Sequence, residues 1–284
     1  MKQFSFLIAI SATIFLFSCN NNKEVNRQNT IQQETQISEV NHADGDHEHL
    51  HSTDKTYNMK FTTTPATINE KQNVTLILRP EQIGKTSDLI PLEVVHEKKI
   101  HLILVSSDLS WFDHIHPLVD KDNNYVVDTK FPYGGSFILF ADYKPEGASQ
   151  QLTRIPITVE GYNKEARKYS KQNLAWKGDG GYEVSMTFNN TEIKAGEAQM
   201  PTFNIKKNGK EVKDLEHYLG ALGHLVIISE NTQNYLHAHP MDDDAHGPSV
   251  VFHTEFESAG VYRTFLQFNH AGKIHTADFV VVAK

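Results

Sequence analysis

The chain is short of cysteine, of positive charge and of long apolar runs. Cysteine occurs once in 284 residues, at Cys19, so disulfides and thiolate metal sites are excluded downstream of it. Blue-copper chemistry needs a thiolate and goes with them. Methionine numbers only 5, which argues against a thioether Cu(I) site, although Met241 directly follows His239-Pro240. Lysine and arginine (27) are outnumbered by aspartate and glutamate (35), giving a net charge of −8. That balance lacks the basic footprint a phosphate backbone requires, so nucleic acid is not an expected partner. No G-x-S-x-G elbow, P-loop or Rossmann glycine pattern occurs. A metal hydrolase would need a general base such as Asp242 or Glu255, and no spacing supports one. The expectation is a protein that is not an enzyme.

What apolar run there is lies at the start. Lys2 precedes a stretch from Phe4 to Phe17 broken only by Ser5, Ser11 and Thr13. It is too short to span a bilayer comfortably and reads as the core of a signal peptide over residues 1–18. The stretch ends Leu16-Phe17-Ser18-Cys19, which resembles a bacterial lipobox. That resemblance implies lipidation of Cys19 as the mature N-terminus. Two or more acyl chains, at about 0.8 kcal/mol per buried methylene, would hold the protein on a membrane. The expected place is the cell envelope, lipid-anchored, with the folded part outside the cytoplasm and in the periplasm.

Residues 19–55 are rich in Asn, Gln, Glu and Thr and almost without aromatics, so they are expected to form a flexible leash. A chain of that length spans roughly 30–35 Å root-mean-square. Near its end stand His42, His47, His49 and His51, interleaved with Asp44, Asp46 and Glu48. They read either as a weak metal-collecting arm or as a polar linker that happens to carry histidine. The segment from His47 to His51 fits H-E-x-x-H literally. The zincin reading needs a helix, and the Asp, Gly and Asn flanks offer no helical period, so the match is accidental.

The rest is dominated by a pattern that occurs twice. His101 opens the run Leu-Ile-Leu-Val, Ser106 closes it, and His114-Ile-His116-Pro117 follows. His224 opens Leu-Val-Ile-Ile, Ser229 closes it, and His237-Ala-His239-Pro240 follows, at a constant offset of 123 residues. Phe131, Gly135, Phe137 and Phe140 match Phe256, Gly260, Tyr262 and Phe265 at an offset of 125. The change of offset puts the insertion in a loop. Short β-rich segments separated by Pro and Gly turns fill both halves. The fold class expected is all-β: two tandem antiparallel sandwiches, immunoglobulin-like or cupredoxin-like, over 56–160 and 182–284. Residues 161–181 form the linker between them, with Trp176 packed at the domain junction.

In an extended His-x-His segment both rings point to one face, about 6.6 Å apart along the strand. A hairpin returns His101 beside His114 and His116, and His224 beside His237 and His239, completing a three-nitrogen set in each half. Such ligands without cysteine suit Zn(II), Cu(II) or Ni(II), with Cu(II) or Zn(II) as the expected cofactor. The second half is richer, adding His217, Asp242, Asp243, Asp244, His246, His253, His270 and His275. His217 and His275 are therefore candidate extra ligands, and the second domain is the expected stronger site. The competing reading makes the histidines structural, bonded to loop carbonyls, in a non-catalytic adaptor that binds another envelope protein.

With these residues in view, the second half resembles a module of uncharacterised bacterial secreted proteins and lipoproteins. The resemblance rests on the run from Leu219 through Gly223 to His224, on His237-Ala-His239-Pro240, on Gly260 to Phe268 and on Gly272 to Phe279. The first half matches more loosely, lacking the Gly-x-x-Gly approach to His101. Both are loosely similar to the YtkA-like and CopC-like periplasmic sandwiches that handle copper, which implies metal handling and a metal-transfer or other envelope partner. The ligand motifs of those groups do not align residue by residue with this chain.

Overall fold

A computed structural model describes residues 56–85, 90–242 and 246–284. The expected signal peptide, Cys19 and the histidines His42, His47, His49 and His51 lie outside the described residues, as do Asp243 and Asp244.

The first domain runs β1 (Tyr57–Thr64), β2 (Val74–Gln82), β3 (Ile100–Ser106), β4 (Phe112–Ile115), β5 (Leu118–Val119), β6 (Tyr125–Thr129), β7 (Gly135–Tyr143) and β8 (Gln151–Val159). These strands form two four-stranded antiparallel sheets, ordered β1-β2-β6-β5 and β4-β3-β7-β8. The second domain runs β9 (Ala175–Lys177), β10 (Tyr182–Thr187), β11 (Ala198–Gln199), β12 (Thr202–Lys207), β13 (Lys210–Glu211), β14 (His224–Ser229), β15 (Tyr235–Ala238), β16 (Ser249–Val251), β17 (Thr254–Glu255), β18 (Gly260–His270) and β19 (Lys273–Ala283). Its main sheets are β13-β12-β10-β9, with β16 also on β12, and β15-β14-β18-β19. The described residues are all-β, in two tandem antiparallel sandwiches.

The two sheets of each sandwich differ in a way their sequences carry. Strand β2 alternates, placing Val74, Leu76 and Leu78 in the core and leaving their neighbours half-buried on the other face. This is the expected pattern for a sheet with one dry face. Strand β3 does not alternate, and all seven of its residues are buried. Leu102 and Leu104 enter the first domain's core while Ile103 and Val105 join a separate cluster. That cluster also holds Leu109, Ile138 and Phe140 from the first domain and Val226, Ile228, Tyr235 and Phe265 from the second. The sheets carrying β3 and β14 therefore pack against each other, and both of their faces are dry.

The contact between the domains is reciprocal. Phe112 stacks on Phe265 with ring centroids 4.3 Å apart, and Tyr235, the counterpart of Phe112, stacks on Phe140 at 4.9 Å. Arg263 Nε donates to the carbonyl of Leu109 at 3.2 Å, and Arg154 Nε donates to that of Thr232, the counterpart of Leu109, at 3.0 Å. Leu109 and Thr232 both hold positive φ, 54° and 58°, in the turns that lead to β4 and β15.

Trp176 does not sit at the domain junction. Strand β9 pairs with β10, opposite Val184, and the indole packs on the second domain's own core. The polar stretch after Gly161 thus ends as an edge strand, which needs an apolar residue on its inner face.

Candidate metal centre

The serine closing each apolar run is the staple of a hairpin. Ser106 Oγ accepts from the backbone N–H of Ser110 and Trp111 at 3.1 and 3.0 Å and donates to Asp108 at 2.6 Å. Ser229 Oγ accepts from the N–H of Asn234 at 2.9 Å and donates to Asn231 at 2.7 Å. This turn sets the register that pairs Ile103 with His114 and Leu102 with Ile115, bringing His116 opposite His101. The second hairpin pairs Val226 with His237 and Leu225 with Ala238, bringing His239 opposite His224. With a side-chain period of two, all three rings of each hairpin fall on the face turned towards the other domain.

Two clusters result, His101 with His114 and His116, and His224 with His237 and His239, each with its ligand nitrogens within 4.8 Å of one another. In the first, His101 Nδ1 and His114 Nε2 are 3.1 Å apart, His116 Nε2 and His114 Nε2 3.1 Å, and His116 Nε2 and His101 Nδ1 3.3 Å. Three nitrogens, each about 2.0 Å from one tetrahedral ion, stand about 3.3 Å from one another. In the second cluster His224 Nδ1, His237 Nε2 and His239 Nε2 are buried and have no hydrogen-bond partner among the described residues.

Groups behind the rings fix which nitrogen faces inward. His101 Nε2–H donates to the carbonyl of Val95 at 3.0 Å, and His224 Nε2–H to that of Tyr218 at 2.7 Å. A carbonyl only accepts, so the inward Nδ1 of each neutral ring is a bare lone pair. His114 Nδ1 lies 2.7 Å from Oε1 of Gln267, a residue of the second domain. His237 Nδ1–H donates across the interface in the other direction, to Oδ2 of Asp142 at 3.3 Å. Asp142 and Gln267 are themselves repeat counterparts, paired in the sheets opposite His101 and His224. The second oxygen of Asp142 accepts from Gln150 Nε2.

Burial keeps these imidazoles neutral. Desolvation first, and the neighbouring histidines after it, hold His114, His237 and His239 well below the ordinary imidazole range. Burial likewise lowers His101 to about 4, and His116 and His224 to about 3. Neutral imidazoles with converging lone pairs are Lewis bases, and a cation relieves the repulsion among them. His116, His237 and His239 are half-buried as residues, but the His237 side chain is only 3% exposed and His239 Nε2 is buried.

The two further candidate ligands stand elsewhere. On β19 the neighbour Thr276 accepts from Gln267 at 3.3 Å and so marks the face turned to the clusters. His275, one residue earlier, points to the opposite face, where it stacks on Phe268 and packs on Tyr182. His217 is exposed beyond the sheet, and its carbonyl accepts from Asn269. Neither belongs to a cluster, because strand alternation sends His275 away and the turn through Tyr218 separates His217.

Three residues at the site escaped sequence reasoning. Asp142 and Gln267 were visible as single polar residues at matched positions in apolar runs, but nothing in the sequence says that each serves the other domain. His96 stacks on His239 with ring centroids 3.3 Å apart; its counterpart is Leu219, so the repeat gave no signal for it.

The chain belongs to the family described as Domain of unknown function (DUF8832), which matches it twice, over residues 51–161 and 176–284. No curated protein matches it in sequence. Among solved structures it is similar to the Escherichia coli adhesin FdeC, at 11% identity and a TM-score of 0.26, covering 80% of this chain and 64% of that one. It is similar also to a Salmonella alpha-2-macroglobulin, at 11% identity and a TM-score of 0.28, covering 81% of this chain and 15% of the other. A segment of two fibronectin type III domains from chicken tenascin matches at 10% identity and a TM-score of 0.22, with 80% and 98% covered.

Proposed function

We propose that this protein is a transition-metal carrier of the bacterial cell envelope, tethered through a lipidated Cys19 and holding Zn(II) or Cu(II) on two three-histidine sites. The observation that carries the reading is the convergence of three inward nitrogens in each cluster, with tautomers set from behind by Val95, Gln267, Tyr218 and Asp142. Hydrogen-bond partners placed behind a metal-bound imidazole in this way orient the ring and raise its basicity. Three neutral nitrogens without a thiolate suit Zn(II) and Cu(II). His116, half-buried, would give an ion a way in and a partner a way to take it, and His96 would have to leave His239 for the same to happen at the second cluster. The leash histidines His42, His47, His49 and His51 would collect ions weakly near the membrane. The likeness to YtkA-like and CopC-like copper-handling sandwiches supports carriage, and the role is binding and transfer, not catalysis.

The test is calorimetric titration of the chain, its four leash histidines replaced by alanine, with Zn(II) and with Cu(II) near neutral pH. Tight uptake of two ions is expected, and no stoichiometric uptake of either metal would overturn the proposal. The adaptor reading has one observation in its favour, since His101 and His224 each tie down a loop carbonyl. That bond uses one nitrogen of each ring and leaves the inward nitrogens unexplained.

A further inference from the structure

The two clusters share one frame but not one electrostatic setting. Asp142, from the first domain, stands behind the second domain's His237 at 3.3 Å. Its counterpart Gln267, from the second domain, stands behind the first domain's His114 at 2.7 Å. A divalent ion on three neutral imidazoles brings uncompensated charge into a dry interface, where desolvation is costly unless an opposite charge is near. A carboxylate behind the ligand supplies that charge and strengthens the imidazole as a donor, while an amide oxygen only orients the ring. Lys98 adds to the contrast. Its positive charge acts on His101 and His116, and its counterpart in the second domain is the buried Ala221. A carboxyl group thus backs one cluster and a cation neighbours the other.

The clusters are also close. His101 and His237 have ring centroids 5.0 Å apart, and His114 and His237 5.4 Å. An ion in one cluster therefore raises the cost of a second ion in the other.

We propose that the two sites fill in order, second domain before first, and that Asp142 and Gln267, each reaching across the interface, set that order. The inference rests on the metal-binding reading above and adds to it a loading sequence. It makes Asp142 a positioning residue for a site in the domain to which it does not belong. It also makes the first domain's site the one that releases its ion more readily to a partner.

The experiment uses the full chain with its four leash histidines replaced by alanine, given half an equivalent of Zn(II). Ring-proton and ring-nitrogen NMR signals of the six histidines report how the ion divides between the clusters. The second cluster is expected to hold at least about ten ions for each in the first, the lower end of the usual effect of a hydrogen-bond partner behind a metal ligand. Asp142→Asn should bring the division towards parity, and Asp142→Glu should restore the preference. The exchange Asp142→Gln with Gln267→Asp should reverse it. Unchanged preference in the exchanged protein, or preference for the first cluster in the parent, would overturn the proposal while leaving metal binding intact. Absence of any shift in the parent would instead overturn the metal-binding reading itself. Metal-free thermal unfolding of each variant accompanies the titration. A general structural role for Asp142 would lower the melting temperature of Asp142→Asn without moving the division of the ion, and that result too would overturn the proposal.

Discussion

The cluster of His101, His114 and His116 and that of His224, His237 and His239 are built by the same hairpin, turned to the same interface and closed by the same serine. What differs is what stands around them. Gln267 backs the first and Asp142 the second, Lys98 neighbours the first where Ala221 takes its place, and His96 covers His239 where its counterpart in the other loop is Leu219. The repeat preserves the six histidines and varies their surroundings, so a duplicated fold can keep one arrangement of side chains in two different electrostatic settings.

The largest way to break the comparison is to remove one cluster. His237→Ala with His239→Ala should abolish one of two bound ions, and His114→Ala with His116→Ala the other, as read by metal analysis after gel filtration. Retention of both ions in either variant would show that the deleted histidines are not ligands.

Next in size is the interface that holds the clusters face to face. Phe265→Ala and Phe140→Ala each delete a stacked aromatic ring from the dry layer between the sheets. Each should cost about 3–5 kcal/mol in denaturant unfolding. A loss below about 1 kcal/mol at both positions would contradict the dry interface.

A smaller effect is expected at the hairpin staples. Ser106→Ala and Ser229→Ala should each cost about 1 kcal/mol, since each removes the hydrogen bonds that part-buried turn groups make to the hydroxyl. Ser106 should be the more costly, because its hydroxyl accepts from two backbone N–H groups and Ser229 Oγ from one. Equal losses would show that the second acceptor bond at Ser106 adds nothing.

The smallest concerns His96, which stacks on His239. His96→Leu installs in the first loop the residue that the second loop carries. It should change metal-free stability by less than about 0.5 kcal/mol and alter the rate of metal release from the second cluster alone, followed by transfer to a chromogenic chelator. An equal change at both clusters would show that the loop acts through the fold and not on His239.

Much of the site was legible in the sequence because spacing and strand period act on it directly. The constant offset between the copies and the His-x-His alternation place three rings on one face of each hairpin. The unbroken apolar runs after His101 and His224 carried the further message that these sheets are dry on both sides. What could not be read was which surface covers the second face. That is a tertiary contact, and it decides that Asp142 and Gln267 cross between domains and that His96 lies on His239. The histidine-rich composition of the second half pointed to His217 and His275, but composition is blind to direction. One step along β19 separates Thr276, on the cluster face, from His275, on the core face. Trp176 was misplaced for a similar reason, since a lone large apolar residue in a polar stretch marks burial without saying where.

The most direct test of the account is anomalous diffraction from crystals of the metal-loaded protein, measured on either side of the zinc or copper edge. The account predicts two peaks per chain, one about 2.0–2.1 Å from His101 Nδ1, His114 Nε2 and His116 Nε2 and the other equally close to His224 Nδ1, His237 Nε2 and His239 Nε2. Peaks elsewhere on the chain, with both clusters empty, would contradict it.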